Sequence, residues 1–255
     1  MMTKDSTNKF LIVSLVGTLS LGMCLPAQAL LIRVAQESTV GAGDFDSNIL
    51  GLINTYSTTG THASFYRYDT IYPASFGGIN EVVSFNTTNL FFVEASDGLG
   101  FYAVHDRPIL GASGQDLDGM TAMRFELTGG DTASILLQDD PNNAFSDSFS
   151  NSEGKVFTTN NAFASCCTDG VVIGSIDGDD WAFFAEFRQE PFGIDSFRAQ
   201  SNGSSEISLR LDTGLKVRFD LIPESVPTAP AVPTPTAVLP ILSSLFTITR
   251  RQNHD

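Results

Sequence analysis

The sequence predicts an all-β protein, a jelly-roll-like antiparallel β-sandwich with one short helix. Three observations predict it. Between residues 30 and 222, short runs of β-branched and aromatic residues are separated by clusters of Gly, Asn, Asp and Ser, which is the spacing of strands and turns rather than of βαβ units. Several of these runs alternate apolar with polar residues, as half-buried strands do. Phenylalanine supplies 20 residues against a single tryptophan, enough aromatic volume to fill the space between two sheets.

Taken in order, the strand candidates are residues 63–71, 81–85, 90–94, 101–105, 121–127, 133–138, 171–173, 181–188, 194–199, 206–211 and 215–221. Met123, Phe125 and Leu127 set the alternating rhythm in one of them, and Trp181 shares its phase with Phe183, which places Trp181 in the core. Ile207, Leu209 and Leu211 alternate with polar neighbours, and so do Leu215, Val217 and Phe219. The joining Asp212-Thr213-Gly214 supplies a glycine where positive φ is needed, so the two runs read as a hairpin. The helix is expected where Phe45, Ile49, Leu52, Ile53 and Tyr56 share a helical face behind a cap at Asp44 or Asp46. An irregular strand with a bulge at Gly51 is the alternative there. No internal repeat of fixed period is present, which excludes a solenoid or propeller.

The two ends have a different character. Residues 1–29 have the parts of a secretory signal peptide: Lys4 and Lys9, an apolar stretch over 10–24, and the small-x-small site Ala27-Gln28-Ala29. Residues 223–231 form a linker rich in Pro, Ala, Thr and Val that cannot build sheet interior. Beyond it, residues 232–255 hold Val232-Pro233-Thr234-Pro235, an apolar stretch over 236–248, and the basic pair Arg250-Arg251. That stretch is shorter than the ~20 residues a full helical span requires, and the arginines would stay on the cytoplasmic side.

Charge excludes one class of partner. The chain carries a formal charge of −15, and a phosphate polymer is repelled by such a field, so no nucleic-acid partner is expected. Solubility outside the cell accounts for the acidity, and binding of divalent cations is the sharper alternative. Cys24 leaves with the signal peptide, and Cys166 and Cys167 remain side by side. Three outcomes are open to them: a vicinal disulfide, two buried thiols, or a bridge to another chain. With no second cysteine cluster or nearby histidine, zinc is excluded.

Val232 to Ala237, followed by Leu239-Pro240-Ile241-Leu242 and Arg250-Arg251, resemble the PEP-CTERM class of bacterial sorting tail, and its PTPA-CTERM variant more closely. The resemblance implies that Val232, Pro233, Thr234 and Pro235 form a recognition motif for an exosortase-type membrane protease. It also implies that residues 236–248 contact the membrane transiently and that Arg250 and Arg251 act as the stop. Thr236, the internal Pro240 and the residues after Arg251 depart from the pattern. In the body, Cys166 to Gly174, with Thr168-Asp169-Gly170, is similar to a turn-and-strand of exported proteins in this class, and Ile194 to Phe197 leading to Ser204 to Ile207 is similar to a later segment of the same domains. The class implies an address outside the cell and no particular activity.

Candidate chemistry is sparse. Asp116 and Asp118 in one loop, and Asp177, Asp179 and Asp180 in another, gather carboxylates of the kind that suits a structural calcium ion. Neither loop has the closing glutamate of an EF-hand, and Asp-Gly pairs are also ordinary turn formers. Asp139-Asp140-Pro141 reads as an acidic turn alone. His105, Asp106 and Ser113 are the one set that can be drawn as a catalytic triad, without the glycine spacing of a nucleophile elbow. Phe65, Tyr66, Tyr68 and Trp181 are the aromatic candidates for a glycan platform. The expectation is an exported surface or extracellular-matrix protein, non-catalytic, with extracellular polysaccharide as a partner. A calcium-dependent or glycan-binding module and an extracellular hydrolase are the rivals.

Overall fold

The computed structural model describes residues 29–67, 83–106, 117–139, 147–164 and 167–222. The sorting-tail residues, including Val232, Pro233, Thr234, Pro235, Arg250 and Arg251, lie outside the described residues, as do Tyr68, Ser113, Asp116 and Cys166. The first strands are β1 (Leu31–Gln36), β2 (Ile49–Asn54) and β3 (Tyr56–Ser57), followed by a short helix α1 (His62–Tyr66). Then come β4 (Thr87–Ala95), β5 (Gly98–His105), β6 (Leu117–Thr128), β7 (Ser134–Gln138), β8 (Ser148–Ser152) and β9 (Val156–Ala164). The last are β10 (Asp169–Gly174), β11 (Ala182–Phe187), β12 (Ser196–Ala199), β13 (Ile207–Leu209) and β14 (Val217–Leu221).

These strands form an all-β sandwich. One sheet runs β2-β1-β14-β11-β6-β9-β8; the other runs β13-β12-β4-β5-β10-β7, with β3 also on β4. Pairing is antiparallel except for β12 and β3, which both run parallel to β4. In the first sheet alternation sends Met123, Phe125, Leu127, Phe183, Ala185, Phe187, Val217 and Phe219 inward. They meet Leu90, Phe92, Phe101 and Ala103 of the second sheet. Phe101 stands at the centre, with ring centroids 4.4 Å from Phe183, 5.2 Å from Phe92, 5.4 Å from Phe125 and 5.8 Å from Phe219.

The middle of the second sheet, β4, β5 and β10, is buried on both faces. Phe91, Val93, Tyr102, Val104 and Val172 point away from the first sheet, and Tyr56, Tyr66 and Val83 cover them. Strands covered on both sides read as continuous apolar runs instead of alternating ones, hence Leu90-Phe91-Phe92-Val93 in β4 and Val171-Val172-Ile173 in β10. The cover includes α1. Thr61 caps it, its side chain accepting from Ser64 N, and Asp97 accepts from the His62 amide at 3.0 Å. The buried His62 ring then docks on β5. Nε2 donates to the Gly98 carbonyl at 3.1 Å, which leaves Nδ1 to accept from the Tyr102 hydroxyl at 2.9 Å. Gly100 makes room for that ring, since a Cβ there would stand 2.5 Å from His62 Cε1.

Several local expectations are corrected. Residues 207–211 and 215–219 do not form a hairpin: β13 pairs with β12 in one sheet, and β14 pairs with β1 and β11 in the other. Alternation tells in from out, and both runs face the same core from opposite sides. Gly214 has the positive φ expected of it, +75°, but its turn crosses between sheets. The helix expected over 45–56 is instead a 3-10 turn at Phe45–Ser47 followed by β2 and β3. Phe45 packs edge-on against Phe184, whereas Ile49 and Leu52 are exposed. The irregular strand of the alternative reading is present, but its bulge is at Leu50 and not at Gly51: Val34 pairs with Gly51 and Ala35 with Ile49, leaving Leu50 as the extra residue. Residues 63–66, expected as strand, belong to α1, and residues 83–85, the described part of the strand expected over 81–85, lie outside any strand.

Gly100→Ala is expected to cost about 1–3 kcal/mol of stability through overpacking against His62. Denaturant unfolding of that variant and of Gly100→Ala/His62→Ala checks it, with the double variant recovering part of the loss relative to His62→Ala alone.

Candidate functional site

One end of the sandwich gathers polar side chains that the core would ordinarily exclude. β10 begins with Asp169, which lies opposite His105 at the end of β5. On its other side β10 borders β7, where the Asp139 amide donates to the Gly170 carbonyl at 3.0 Å. From the facing sheet, β9 contributes Asn161, and Asp147 sits just ahead of β8. Asp139, Asp169, Asn161 and His105 are all buried, and Asp147 is half-buried. Three carboxyls, an amide and an imidazole therefore share a small space where water cannot pay for their solvation.

The hydrogen bonds show how that cost is met. Asn161 Nδ2 donates to Asp169 Oδ1 at 3.0 Å, and the Gly170 amide donates to the same oxygen at 2.6 Å. The Tyr66 hydroxyl, brought in by α1, donates to Asp139 Oδ2. Gly170 permits that approach, because a Cβ there would lie 3.2 Å from the Tyr66 hydroxyl and 2.5 Å from the Ala103 carbonyl. The Ala162 amide donates to Asp147 Oδ1 at 2.8 Å. No donor reaches Asp169 Oδ2, and Asn161 Oδ1 and His105 Nε2 also lack hydrogen-bond partners.

Burial pushes the Asp169 carboxyl well above its ordinary range, and the charges of Asp147 and Asp139 push it further, against the donor of Asn161. The protonated, neutral form of the carboxyl is thereby favoured. His105 is driven the other way. Burial lowers it to about 3, so the ring is neutral, with Nδ1 3.0 Å from Thr88 Oγ1 and its face stacked on Phe163. Burial thus favours the uncharged form of both Asp169 and His105, the carboxyl by keeping its proton more readily and the imidazole by gaining one less readily.

The residues singled out by sequence are distributed differently. Asp177, Asp179 and Asp180 are exposed, and Asp180 Oδ1 fastens a turn by accepting from the Gly130 amide at 3.2 Å. Asp118 lies on β6, away from that loop. Among the described residues, no three His, Cys, Asp or Glu side chains form a group that could hold a metal ion. Cys167 is disulfide-bonded; its partner lies outside the described residues. His105 and Asp106 do not form two members of a triad, since His105 engages Thr88 and Asp106 Oδ1 accepts from the Asn86 amide at 2.6 Å. Trp181 is buried as expected from its phase, stacked on Phe92. Tyr66 is buried too, so neither of them forms an exposed platform. Asp139, taken for a turn residue, proves to be part of the cluster, and Asp147, Asp169 and Asn161 were missed. The available signal was the carboxylate of Asp169 standing one glycine ahead of the apolar run Val171-Val172-Ile173.

Comparison with known proteins finds no match: no family model, no curated protein and no solved structure matches this chain.

Asp169→Asn keeps the oxygen that accepts from Asn161 and Gly170 and removes the titration. The unfolded carboxyl loses its proton near pH 3.9 and the folded one later, so this group makes the wild type less stable as pH rises above about 4. The variant is expected to be the more stable at pH 7, with an advantage that shrinks towards pH 4 at up to about 1.4 kcal/mol per pH unit. Urea unfolding of the two proteins between pH 4 and 8 checks this.

Proposed function

We propose that this chain is an exported bacterial surface or extracellular-matrix protein whose sandwich serves structure or interaction rather than catalysis. The observation that carries the reading is the meeting of the two chain ends in the fold. β1 begins at Leu31, directly after the small-x-small site at Ala27-Gln28-Ala29, and β14 ends at Leu221, directly before the Pro-rich linker. The two strands are antiparallel neighbours, with Ile32 opposite Leu221 and the Ile222 amide donating to the Leu31 carbonyl at 3.1 Å. The two ends of the sandwich therefore lie side by side, which suits a domain delivered by two terminal signals acting at one membrane.

Several further features support this reading. β4 runs from Thr88, opposite His105, to Glu94, which accepts from the Leu30 amide. The carboxyl cluster therefore lies at the end away from the tether, about 20 Å along the strand at ~3.3 Å per residue. His62 and His105 are both buried and hydrogen-bonded as structural groups. The acidic surface suits solubility outside the cell. An exosortase-type protease would act at Val232, Pro233, Thr234 and Pro235 while the tail contacts the membrane, and extracellular polysaccharide is the partner class for the released domain.

Intact-mass and peptide mass spectrometry of the exported protein tests the reading. The expected product begins at Leu30 and is cut or modified within 232–235; a mature pool that keeps both Lys4 and Arg250-Arg251 would overturn it.

A further inference from the structure

The nitrogen of Leu30 lies in a socket built for more than one hydrogen. It stands 3.0 Å from Thr55 Oγ1 and 3.0 Å from Glu94 Oε1. Thr55 Oγ1 also donates to that same Glu94 oxygen, and the Thr55 amide donates to the Leu30 carbonyl at 3.1 Å. Thr55 is fully buried and Glu94 half-buried. Among the described residues no lysine or arginine pairs with Glu94, so its carboxylate is met only by neutral N–H and O–H donors. An amide nitrogen has one hydrogen to divide between two acceptors, one of them anionic.

We propose that Glu94 and Thr55 form the receiving site for the α-ammonium group of Leu30, created when an endopeptidase removes residues 1–29. This rests on the export reading above. The Ala29–Leu30 peptide bond breaks, water supplies the hydroxyl that leaves Ala29 as a carboxylate, and the Leu30 nitrogen takes up protons to become an ammonium. Its three N–H bonds then reach Glu94 Oε1, Thr55 Oγ1 and solvent, for which the half-buried position of Leu30 leaves access. The shared amide contact becomes a charge-assisted hydrogen bond to a carboxylate, the stronger kind. Leu30 leads into β1 of one sheet and Glu94 belongs to β4 of the other, so processing adds an ion pair between the two sheets. The precursor lacks that pair, and the mature sandwich gains it only after the leader is gone.

The test compares the chain from Leu30 to Asp255, released from a cleavable fusion, with the same chain acetylated at Leu30. The free-amine form is expected to melt about 2–4 °C higher, and Glu94→Gln should lower the melting temperature more in the free-amine form than in the acetylated one. An equal loss in both forms overturns the socket. Should Glu94→Gln fail to fold, the labelling rate of the Leu30 α-amine by an amine-reactive reagent decides instead. Slow labelling in the folded wild type relative to the urea-unfolded chain supports the site, and equal rates overturn it. These measurements are made on a terminus fixed by design, so they fail separately from the export reading, which fails if the exported protein does not begin at Leu30.

Discussion

The structure depends on one contact set, the aromatic packing around Phe101 between the two sheets. Phe92, Phe125, Phe183 and Phe219 converge on it from four strands, and this places β4 and β5 at the middle of the molecule. A sheet centre packed this densely on one face, with Phe91, Tyr102 and Val172 on the other, cannot be left open to water. The second cover follows from that constraint: α1, Tyr56 and Val83 lie over the outer face. Tyr102 illustrates the compromise. Its ring stacks on Phe91 at 4.9 Å while its hydroxyl meets His62 at the margin of the cover, the arrangement a buried tyrosine needs.

The same burial sets the behaviour of the polar groups it encloses. His62 and His105 are held below the ordinary histidine range mainly by desolvation, and Asp169 is held above the ordinary carboxyl range by desolvation and by its acidic neighbours. These shifts act on stability with opposite signs. The unfolded histidines charge as pH falls below about 6.5, which favours unfolding in acid, while the protonated Asp169 favours folding in acid. Over the mildly acidic range the two partly offset each other. Neutral imidazole and neutral carboxyl are thus two outcomes of one cause, exclusion of water from the interior.

The fold class was legible because its signals are local. Strands buried on both faces announce themselves as apolar runs, and β6, β11 and β14 by alternation around Phe125, Phe183 and Phe219. Strand identity failed where local pattern carries no partner information. β13 and β14 alternate equally well, yet they belong to opposite sheets. β9 was overlooked because Thr158, Thr159, Asn160 and Asn161 break its apolar character. Asn161 is there to serve Asp169, so the residue that hid the strand is one that builds the cluster. The spacing of Phe45, Ile49, Ile53 and Tyr56 fits a helix by coincidence, since a bulge at Leu50 shifts the phase of a strand that would otherwise alternate visibly. The cluster itself was illegible for a further reason. Asp139, Asp147 and Asp169 lie on segments joined only by sheet pairing, and each looks like a turn residue among its own neighbours.

The position of β14 bears on how the chain reaches this state. Among the described residues the last strand in sequence is not an edge strand; it lies between β1, the first, and β11. The first sheet therefore cannot close until the final residues of the domain are present, and its defining contacts span nearly the whole length of the sandwich. Contacts of such long range are slow to form and carry a large loop-closure cost. A chain threaded through a membrane from its amino end would hold β1 waiting, unpaired on that side, until Leu221 had followed it. For a chain moved in that way, completion of the fold would wait until passage was all but finished, a timing set by strand order alone.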